Sequence, residues 1–295
     1  MVASTFDYVA VGTYDEAVSV LCELGDDAKI LAGGQSLVPM LNLRLARPSA
    51  LVDINPIAAC EPFLDDGTIV LPAMLRHGRA LSSNLVAEAT PMLAAALRHV
   101  GNVRVRNRGT IGGSLAHGEA TSEVCAVSLA LGGRVLAQGP HGAREVPVEG
   151  LFEGFLTTVL EFDEVLTEVR LPAQRPSSGW GFHEVVRRSS DYAIVAVAAS
   201  VELGESGVIE SARMGIGGVA DRPVLASPEV LGALCGCVPD TAPLEEVSRA
   251  VASATEPPSD VHASGAYRRR LVKVLSLRAL DDALRRAGSG AGRAS

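Results

Sequence analysis

Hydrophobic and polar positions in the first third of the chain alternate between helical and strand-like spacing. Residues 13–24 (TYDEAVSVLCEL) place apolar side chains at helical intervals. Thr13 followed by Glu16 forms a capping-box pattern and Gly25 is a stop signal, so a helix is predicted between them. Short apolar runs predict buried strands at 29–32 (KILA) and 51–54 (LVDI).

The middle third is predicted to mix strands with several short helices. The pattern predicts strands at 68–71, 134–137 and 164–171, and helices over 75–87, 91–100 and 124–131. Between them, residues 103–113 carry Arg104, Arg106 and Arg108 at every second position. This alternation predicts an extended segment with the three arginines on one face. That face is either a solvated strand surface or an electrostatic collar near phosphates.

The last third follows a linker-like stretch at 172–178 (PAQRPSS). After Trp180–Glu184, small and β-branched residues at 192–203 (YAIVAVAASVEL) predict a long buried strand, and the alternating run at 208–217 predicts its hairpin partner. Helices are predicted over 239–255 and 265–287, and a disordered tail over 288–295. A β-meander followed by helices indicates a small α+β domain.

Composition and charge exclude several classes of protein. The 295 residues are 47% hydrophobic with a mean hydropathy of +0.25, which is typical of two or three well-packed domains. No apolar run approaches the ~20 residues of a membrane span, and no secretory signal is predicted at the N-terminus. The net charge of −8, without a long basic run, argues against a nucleic-acid partner.

The cysteines indicate a reducing compartment, so we expect a cytoplasmic protein. They are odd in number and scattered, which does not suit a disulfide framework, and they lack the four spaced thiolates of an iron–sulfur cluster. No His–Cys pattern predicts a metal site. The five positions are Cys22, Cys60, Cys125, Cys235 and Cys237.

Two glycine-rich segments about 75 residues apart carry the strongest chemical signal. They are AGGQSLVPMLNLRLARP (32–48) and NRGTIGGSLAHGEATSE (107–123), and each places a Gly-Gly pair two or fewer positions before a serine. Adjacent glycines let successive backbone N–H groups converge on one anion. The two segments together predict a diphosphate that is held from two sides.

Other nucleotide-site motifs are missing from the chain. Neither segment fits the Rossmann pattern G-x-G-x-x-G, the P-loop pattern G-x-x-x-x-G-K-[ST] does not occur, and no G-x-S-x-G motif indicates a serine nucleophile. Only Lys29 and Lys273 are lysines, so the phosphates are expected to bind backbone N–H groups, with help from hydroxyls and arginines.

The paired segments, with Asp191-Tyr192-Ala193 and the terminal helix pair, resemble the flavoprotein (medium) subunit of molybdenum hydroxylases. The resemblance is to the aerobic carbon monoxide dehydrogenase and xanthine dehydrogenase types. It implies an α+β fold with a two-subdomain FAD-binding domain of the p-cresol methylhydroxylase/vanillyl-alcohol oxidase type, then a C-terminal α+β domain. The implied divisions are FAD-binding subdomains at 1–57 and 58–175, the C-terminal domain at 179–287, and the tail.

The resemblance also implies which residues contact FAD. The first clasp would consist of Ala32, Gly33, Gly34, Gln35 and Ser36, with Leu37 and Val38 on the adenine–ribose side, and the second of Thr110, Ile111, Gly112, Gly113 and Ser114. Glu123 would contact the sugar chain of the flavin, and Leu166, His183 and Tyr192 would lie near its ring. Ser114, Ala120 and Glu123 stand where relatives often have Asp or Asn, Pro, and Asp.

The histidines have more than one possible role. His117 is either a flavin neighbour or a locally bonded loop residue. His77, His99, His141 and His262 are interpreted as structural or exposed.

The function implied by the resemblance is electron transfer. A large molybdopterin-binding subunit would hydroxylate the substrate, and a small [2Fe–2S] subunit would pass electrons through FAD to a quinone, NAD or dioxygen. No side chain of this chain would be catalytic in its own right, since the flavin performs the redox chemistry. The alternative is a stand-alone FAD-dependent oxidase or dehydrogenase that acts directly on a small molecule.

Overall fold

Three larger β-sheets and one two-stranded sheet lie along the chain in a computed structural model that describes residues 3–58 and 60–291. The strands are β1 (Asp7–Ala10), β2 (Ala28–Leu31), β3 (Ala50–Asp53), β4 (Phe63–Asp65), β5 (Thr68–Pro72), β6 (Arg134–Gly139), β7 (Gly142–Pro147), β8 (Phe152–Gly154), β9 (Thr157–Thr158), β10 (Val165–Pro172), β11 (Ser178–Val186), β12 (Ala193–Leu203), β13 (Ile209–Gly217) and β14 (Val224–Leu225). The α-helices are α1 (Tyr14–Leu24), α2 (Leu37–Asn42), α3 (His77–Ser82), α4 (Asn84–Ala89), α5 (Pro91–Leu97), α6 (Val103–Arg108), α7 (Ile111–His117), α8 (Glu123–Ala130), α9 (Pro228–Gly232), α10 (Leu244–Ser253) and α11 (Gly265–Ala291). Short 3₁₀ turns lie at Val148–Gly150 and Pro239–Thr241.

The first sheet is parallel, in the order β1-β3-β2. The predicted cap of α1 at Thr13 is confirmed, but the Glu16 carboxylate accepts the N–H of Gly12 at 2.7 Å rather than that of Thr13. Thr13 Oγ1 accepts a hydrogen bond from the Glu16 N–H at 3.1 Å, and Gly25 follows the helix with a φ of 75°. All four residues of β3 are buried at the centre of the sheet. Because the strands are parallel, the segments that follow β2 and β3 meet at one edge, where ligand sites of such sheets lie.

The second sheet is antiparallel, in the order β4-β5-β10-β6-β7, and it confirms the three strands predicted for the middle third. The helix predicted over 75–87 is divided into α3 and α4 at Ser83, whose Oγ accepts the Val86 N–H at 3.3 Å. The predicted helices that became α5 and α8 pack together in the main hydrophobic core.

The extended segment predicted over 103–113 is wrong, since this stretch forms α6 and the start of α7. Asn102 caps α6, and its Oδ1 accepts the N–H groups of Arg104 and Val105 at 2.9 and 3.2 Å. Residues two apart in a helix point in different directions, so Arg106 does not share the face of Arg104 and Arg108. Arg106 instead turns back and donates to the carbonyls of Val100 and Gly101, each at 2.9 Å.

The third sheet is antiparallel, in the order β11-β12-β13-β14, and the predicted hairpin of β12 and β13 is confirmed. Successive side chains of β12 point to opposite faces of the sheet and pack in two different hydrophobic cores. Ala196 and Ala198 belong to the cluster around α5 and α8. Val195 and Val197 belong to the cluster under α11.

The two predicted C-terminal helices differ from the structure at their ends. The first is shorter than predicted, since α10 begins only at Leu244. The second is longer, because α11 continues to Ala291, so residues 288–291 are helical where a disordered tail was predicted. Residues 292–295 lie outside the described part of the chain. No helix within that part is long and apolar enough to cross a membrane.

Candidate functional site

The two glycine-rich segments line one cleft of about 750 Å³, which is within the usual range for small-molecule and cofactor sites. The cleft lies where the loop after β2 meets α7, with further walls from the β9–β10 region and the turn before β12. Of the residues that the sequence implicates, those that line it are Ala32, Gly33, Gly34, Gln35, Ser36, Leu37, Thr110, Gly112, Gly113, Ser114, His117, Glu123, Leu166 and Tyr192.

Residues 33–36 of the first glycine segment have the backbone geometry of an anion-binding nest, and they are called the nest below. Among the described residues, no group accepts a hydrogen bond from the backbone N–H groups of residues 33–36, which connect β2 to α2. Gly34 has a φ of 71°, in the left-handed region that turns successive N–H groups toward one point. Gln35 folds its Nε2 back to the Gly33 carbonyl at 3.3 Å and leaves the N–H face open.

The second glycine segment differs from the expected matching nest, because its N–H groups are already bonded within the protein. The N–H groups of Ile111, Gly112 and Gly113 donate to Leu75 O, Ala73 O and Thr110 Oγ1 at 3.0, 2.9 and 3.1 Å. Its glycines serve packing instead, since a Cβ on Gly112 would lie 2.8 Å from the Cα of Ala73. This segment therefore forms a closely packed wall opposite the nest.

His77 is a cleft residue whose contact with the second segment the sequence does not reveal. It is interpreted as structural, and its ring is indeed buried, with Nε2 2.9 Å from the Thr110 carbonyl and 3.0 Å from Ser114 Oγ. A carbonyl can only accept, so Nε2 carries the proton. Burial lowers the pKa of His77 to about 4, and the ring is neutral at physiological pH. The Ser114 hydroxyl is thus hydrogen-bonded within the protein, to His77 and to the Thr110 carbonyl.

Glu123 begins α8 and presents a buried carboxyl group to the cleft. Burial, with a smaller effect of the negative charge of Glu184, raises its pKa to about 7 against the opposing effects of a backbone hydrogen bond and of His99. Glu184 is itself held by His99, whose Nδ1 lies 3.0 Å from Glu184 Oε1. Glu123 can therefore carry a proton near neutral pH and donate it in a hydrogen bond to a ligand.

The flavin-proximal candidates occupy different depths of the cleft. Leu166 is buried in β10 next to a bulge in the pairing with β6, whereas Tyr192 is 71% exposed at the mouth. His117 ends α7, and burial lowers its pKa. Glu119 and Asp191 also line the cleft and were not predicted as contacts.

Three of the implicated residues lie outside the cleft lining. Ile111 is fully buried in the core, and Val38 is 41% exposed on α2. His183 lies on β11, where its Nε2 is 3.2 Å from Asp282 Oδ2.

Two protein-family models together match almost the whole chain. The model described as "FAD binding domain in molybdopterin dehydrogenase" matches residues 4–174, and "CO dehydrogenase flavoprotein C-terminal domain" matches residues 180–283.

Individual relatives agree with this assignment. The chain is 36% identical over 284 residues to the 6-hydroxypseudooxynicotine dehydrogenase complex subunit alpha of Paenarthrobacter nicotinovorans, covering 96% of each protein. The structure superposes on carbon monoxide dehydrogenase of Hydrogenophaga pseudoflava with a TM-score of 0.91 at 35% identity, covering 97% of this chain and 99% of that one. Quinoline 2-oxidoreductase of Pseudomonas putida 86 gives a TM-score of 0.89 at 34% identity, covering 97% and 99%.

The residues that line the cleft suit FAD. FAD carries a doubly negative diphosphate, and the open N–H groups of residues 33–36 supply donors for it in a chain with only two lysines. The mixed helix-and-sheet fold agrees with the two family matches, and the relatives cover nearly the full length of the chain. The chain therefore belongs to the family of FAD-binding flavoproteins of molybdopterin dehydrogenases, and it is an oxidoreductase component with FAD as its cofactor.

Proposed function

We propose that this chain is the electron-transfer subunit of a molybdenum-containing hydroxylase. In this proposal it assembles with a large molybdopterin-binding subunit and a small subunit that carries [2Fe–2S] clusters. Electrons from the oxidised substrate would reach the cleft from the clusters and leave it for an external acceptor, which is a quinone, NAD or dioxygen.

The observation that carries the proposal is the nest of open N–H groups at residues 33–36 inside a larger cleft. The same cleft is lined by Lys29 and Ile30 of β2 and by Glu119 and Asp191 from later in the chain. A diphosphate at the nest would therefore leave room for the rest of a dinucleotide. The relatives support the assembly, since the first is named as a subunit of a dehydrogenase complex.

The roles of the protein groups follow from their positions. When bound, FAD supplies the redox chemistry of the transfer. The nest would hold the diphosphate, Glu123 would donate a hydrogen bond from its protonated carboxyl group to the sugar chain, and Tyr192 would cover the mouth of the cleft. Leu166 would exclude water on the inner side, since it is only 5% exposed.

The finer assignments of fold and location belong to the same proposal. The parallel sheet lies within residues 1–57, the five-stranded sheet within 58–175 and the four-stranded sheet within 179–287. This distribution supports a two-subdomain FAD-binding domain of the p-cresol methylhydroxylase/vanillyl-alcohol oxidase type and a separate C-terminal domain. Free cysteines support a cytoplasmic location, since Cys22, Cys60, Cys125, Cys235 and Cys237 form no disulfide.

Cofactor binding by the purified chain is the first test. The protein, stripped of ligand and titrated with FAD, should bind one equivalent and give a flavin absorbance spectrum. FMN, which lacks the diphosphate, should bind much more weakly. A chain that takes up no FAD would contradict the proposal.

Dependence on partner subunits is the second test. The FAD-loaded chain should be reducible by dithionite but not by the organic substrate of the complex. Co-expression with a large molybdopterin-binding subunit and a small [2Fe–2S] subunit from the same genome should give a complex in which that substrate reduces the flavin. Reduction of the isolated chain by a small organic molecule would instead favour the stand-alone oxidase or dehydrogenase.

A further inference from the structure

Three hydrogen-bonded polar residues connect the two glycine segments, and none of the three lines the cleft itself. It is formed by Asp53 at the end of β3, Asn55 two residues later, and Arg76 just before α3. The first two belong to the parallel sheet that carries the nest. Arg76 belongs to the part of the chain that carries the second segment.

Asn55 is fixed by its neighbours in one orientation. Its backbone N–H donates to Asp53 Oδ1 at 2.9 Å, and its side-chain Nδ2 donates to the carbonyl of Ala32 at 2.8 Å and to that of Leu31 at 3.3 Å. Asp53 is buried, and its other oxygen accepts a hydrogen bond from the Tyr8 hydroxyl. The amide of Asn55 therefore holds the backbone immediately before Gly33.

Arg76 completes the connection to the second segment. One nitrogen of its guanidinium donates to Asn55 Oδ1 at 2.6 Å, and the other donates to the carbonyl of Arg108. Arg108 directly precedes Gly109 and Thr110, which begin the opposite wall. A rigid guanidinium fork suits two acceptors at a fixed separation, whereas an ammonium is a single point donor.

We propose that Asn55 and Arg76 are positioning residues that set the distance between the nest and the opposite wall, and so determine the affinity for FAD. The inference rests on the proposed FAD site. It assigns to these residues an effect that acts through Ala32 and Arg108 rather than by contact with the ligand.

The test is a double-mutant cycle on the full-length chain, with FAD affinity measured by quenching of flavin fluorescence. Asn55→Ala and Arg76→Gln should each weaken FAD binding about tenfold, the value of one charge-assisted hydrogen bond. The double variant should be little worse than either single variant, because the two residues act in one chain of contacts. The circular dichroism of any bound flavin should also change, since the walls would move relative to the ring.

The matched control is Arg79→Gln on α3, the helix that Arg76 precedes, because Arg79 pairs with Glu61 on the surface, away from the cleft. It should bind FAD as the unmodified chain does. Arg76→Lys distinguishes fork geometry from charge, and it should not restore affinity.

Two results would overturn the inference: unchanged affinity in both Asn55→Ala and Arg76→Gln, or full affinity in Arg76→Lys. Should Arg76→Gln fail to fold, Asn55→Ala alone decides through the same affinity measurement, with unchanged affinity overturning the inference. Failure of the unmodified chain to bind FAD would contradict the proposed function and is read separately.

Discussion

Gly33 packs directly against the backbone of Gly109, so that the nest and the opposite wall touch. A Cβ atom on Gly33 would lie 2.9 Å from the Gly109 Cα and closer still to the carbonyl oxygen of Arg108. Real Cβ atoms do not approach backbone atoms so closely, and neither of these groups is the end of a flexible side chain. The width of the cleft at this point therefore depends on the absence of a side chain at position 33.

Replacing Gly33 with alanine should push the two walls apart and weaken FAD binding by at least tenfold, with a lower melting temperature for the protein without cofactor. The physical reason is overpacking against backbone, which typically costs about 1–3 kcal/mol. Isothermal titration with FAD and thermal unfolding measure the two effects. Gly232→Ala is the control, because nothing lies within 4 Å of an added Cβ there. Equal affinity in the two variants would contradict the close-packing interpretation.

Gly34 is constrained by its backbone conformation rather than by a clash with backbone. Its φ of 71° costs an alanine roughly 1–2 kcal/mol, whereas asparagine adopts this region more readily. FAD affinity should therefore fall in the order Gly, Asn, Ala, Val at this position. Valine should be worst, since even a Cβ would lie 3.2 Å from Val38 Cγ2. An Asn variant weaker than the Ala variant would show that space, and not φ, decides.

The sequence predicts much of the fold and the location of the site because these depend on local signals. The cap at Thr13, the buried strand pattern of β12 and the unusual Gly-Gly pairs are all visible within a few residues of one another. The arginines at every second position of 104–108 predict an extended segment, and this prediction is wrong because the Asn102 side chain caps a helix that begins at Val103. Local periodicity alone does not decide between the two structures.

The contacts that build the site are mostly beyond the reach of sequence patterns. The two glycine segments differ because the carbonyls of Leu75 and Ala73, almost 40 residues earlier, accept the N–H groups of Ile111 and Gly112 in the second one. The polar connection through Asn55 and Arg76 joins segments 21 residues apart. Such pairings depend on how the sheets pack, and no spacing rule in the chain encodes them.

Acid should destabilise the wall that contains Thr110, because His77 is buried in the neutral form. Its pKa is lowered to about 4 in the folded protein, against 6.5 in an unfolded chain, so the unfolded state binds more protons between these values. Stability is fully present above pH 6.5 and falls as the pH drops toward 4, by an amount on the order of 3 kcal/mol.

His77→Gln keeps a donor for the Thr110 carbonyl and does not titrate, so its melting temperature should vary less over this pH range than that of the unmodified protein. His141→Gln, at an exposed position, should leave the pH dependence unchanged. Parallel melting curves for His77→Gln and the unmodified protein from pH 4 to 7 would contradict the assignment of the acid effect to this ring.

Glu123 should produce the opposite pH dependence. Burial raises its folded-state pKa to about 7, from 4.5 in the unfolded chain, so the folded state binds the extra proton. Its favourable contribution is fully present below pH 4.5 and is lost as the pH rises through 7. Above that point an ionised carboxylate faces a cleft that Glu119 and Asp191 also line, and it would repel an anionic cofactor. FAD affinity should therefore decline between pH 6 and 8.

Glu123→Gln keeps the hydrogen-bonding shape without the charge, and its FAD affinity should stay constant over that interval and exceed that of the unmodified protein at pH 8. Glu245→Gln is the matched control, since Glu245 also lies in the first turn of a helix but is exposed to solvent. Measuring FAD dissociation constants at half-unit pH steps for the three proteins decides the matter. A decline that persists in Glu123→Gln would contradict the assignment of this pH dependence to the Glu123 carboxyl group.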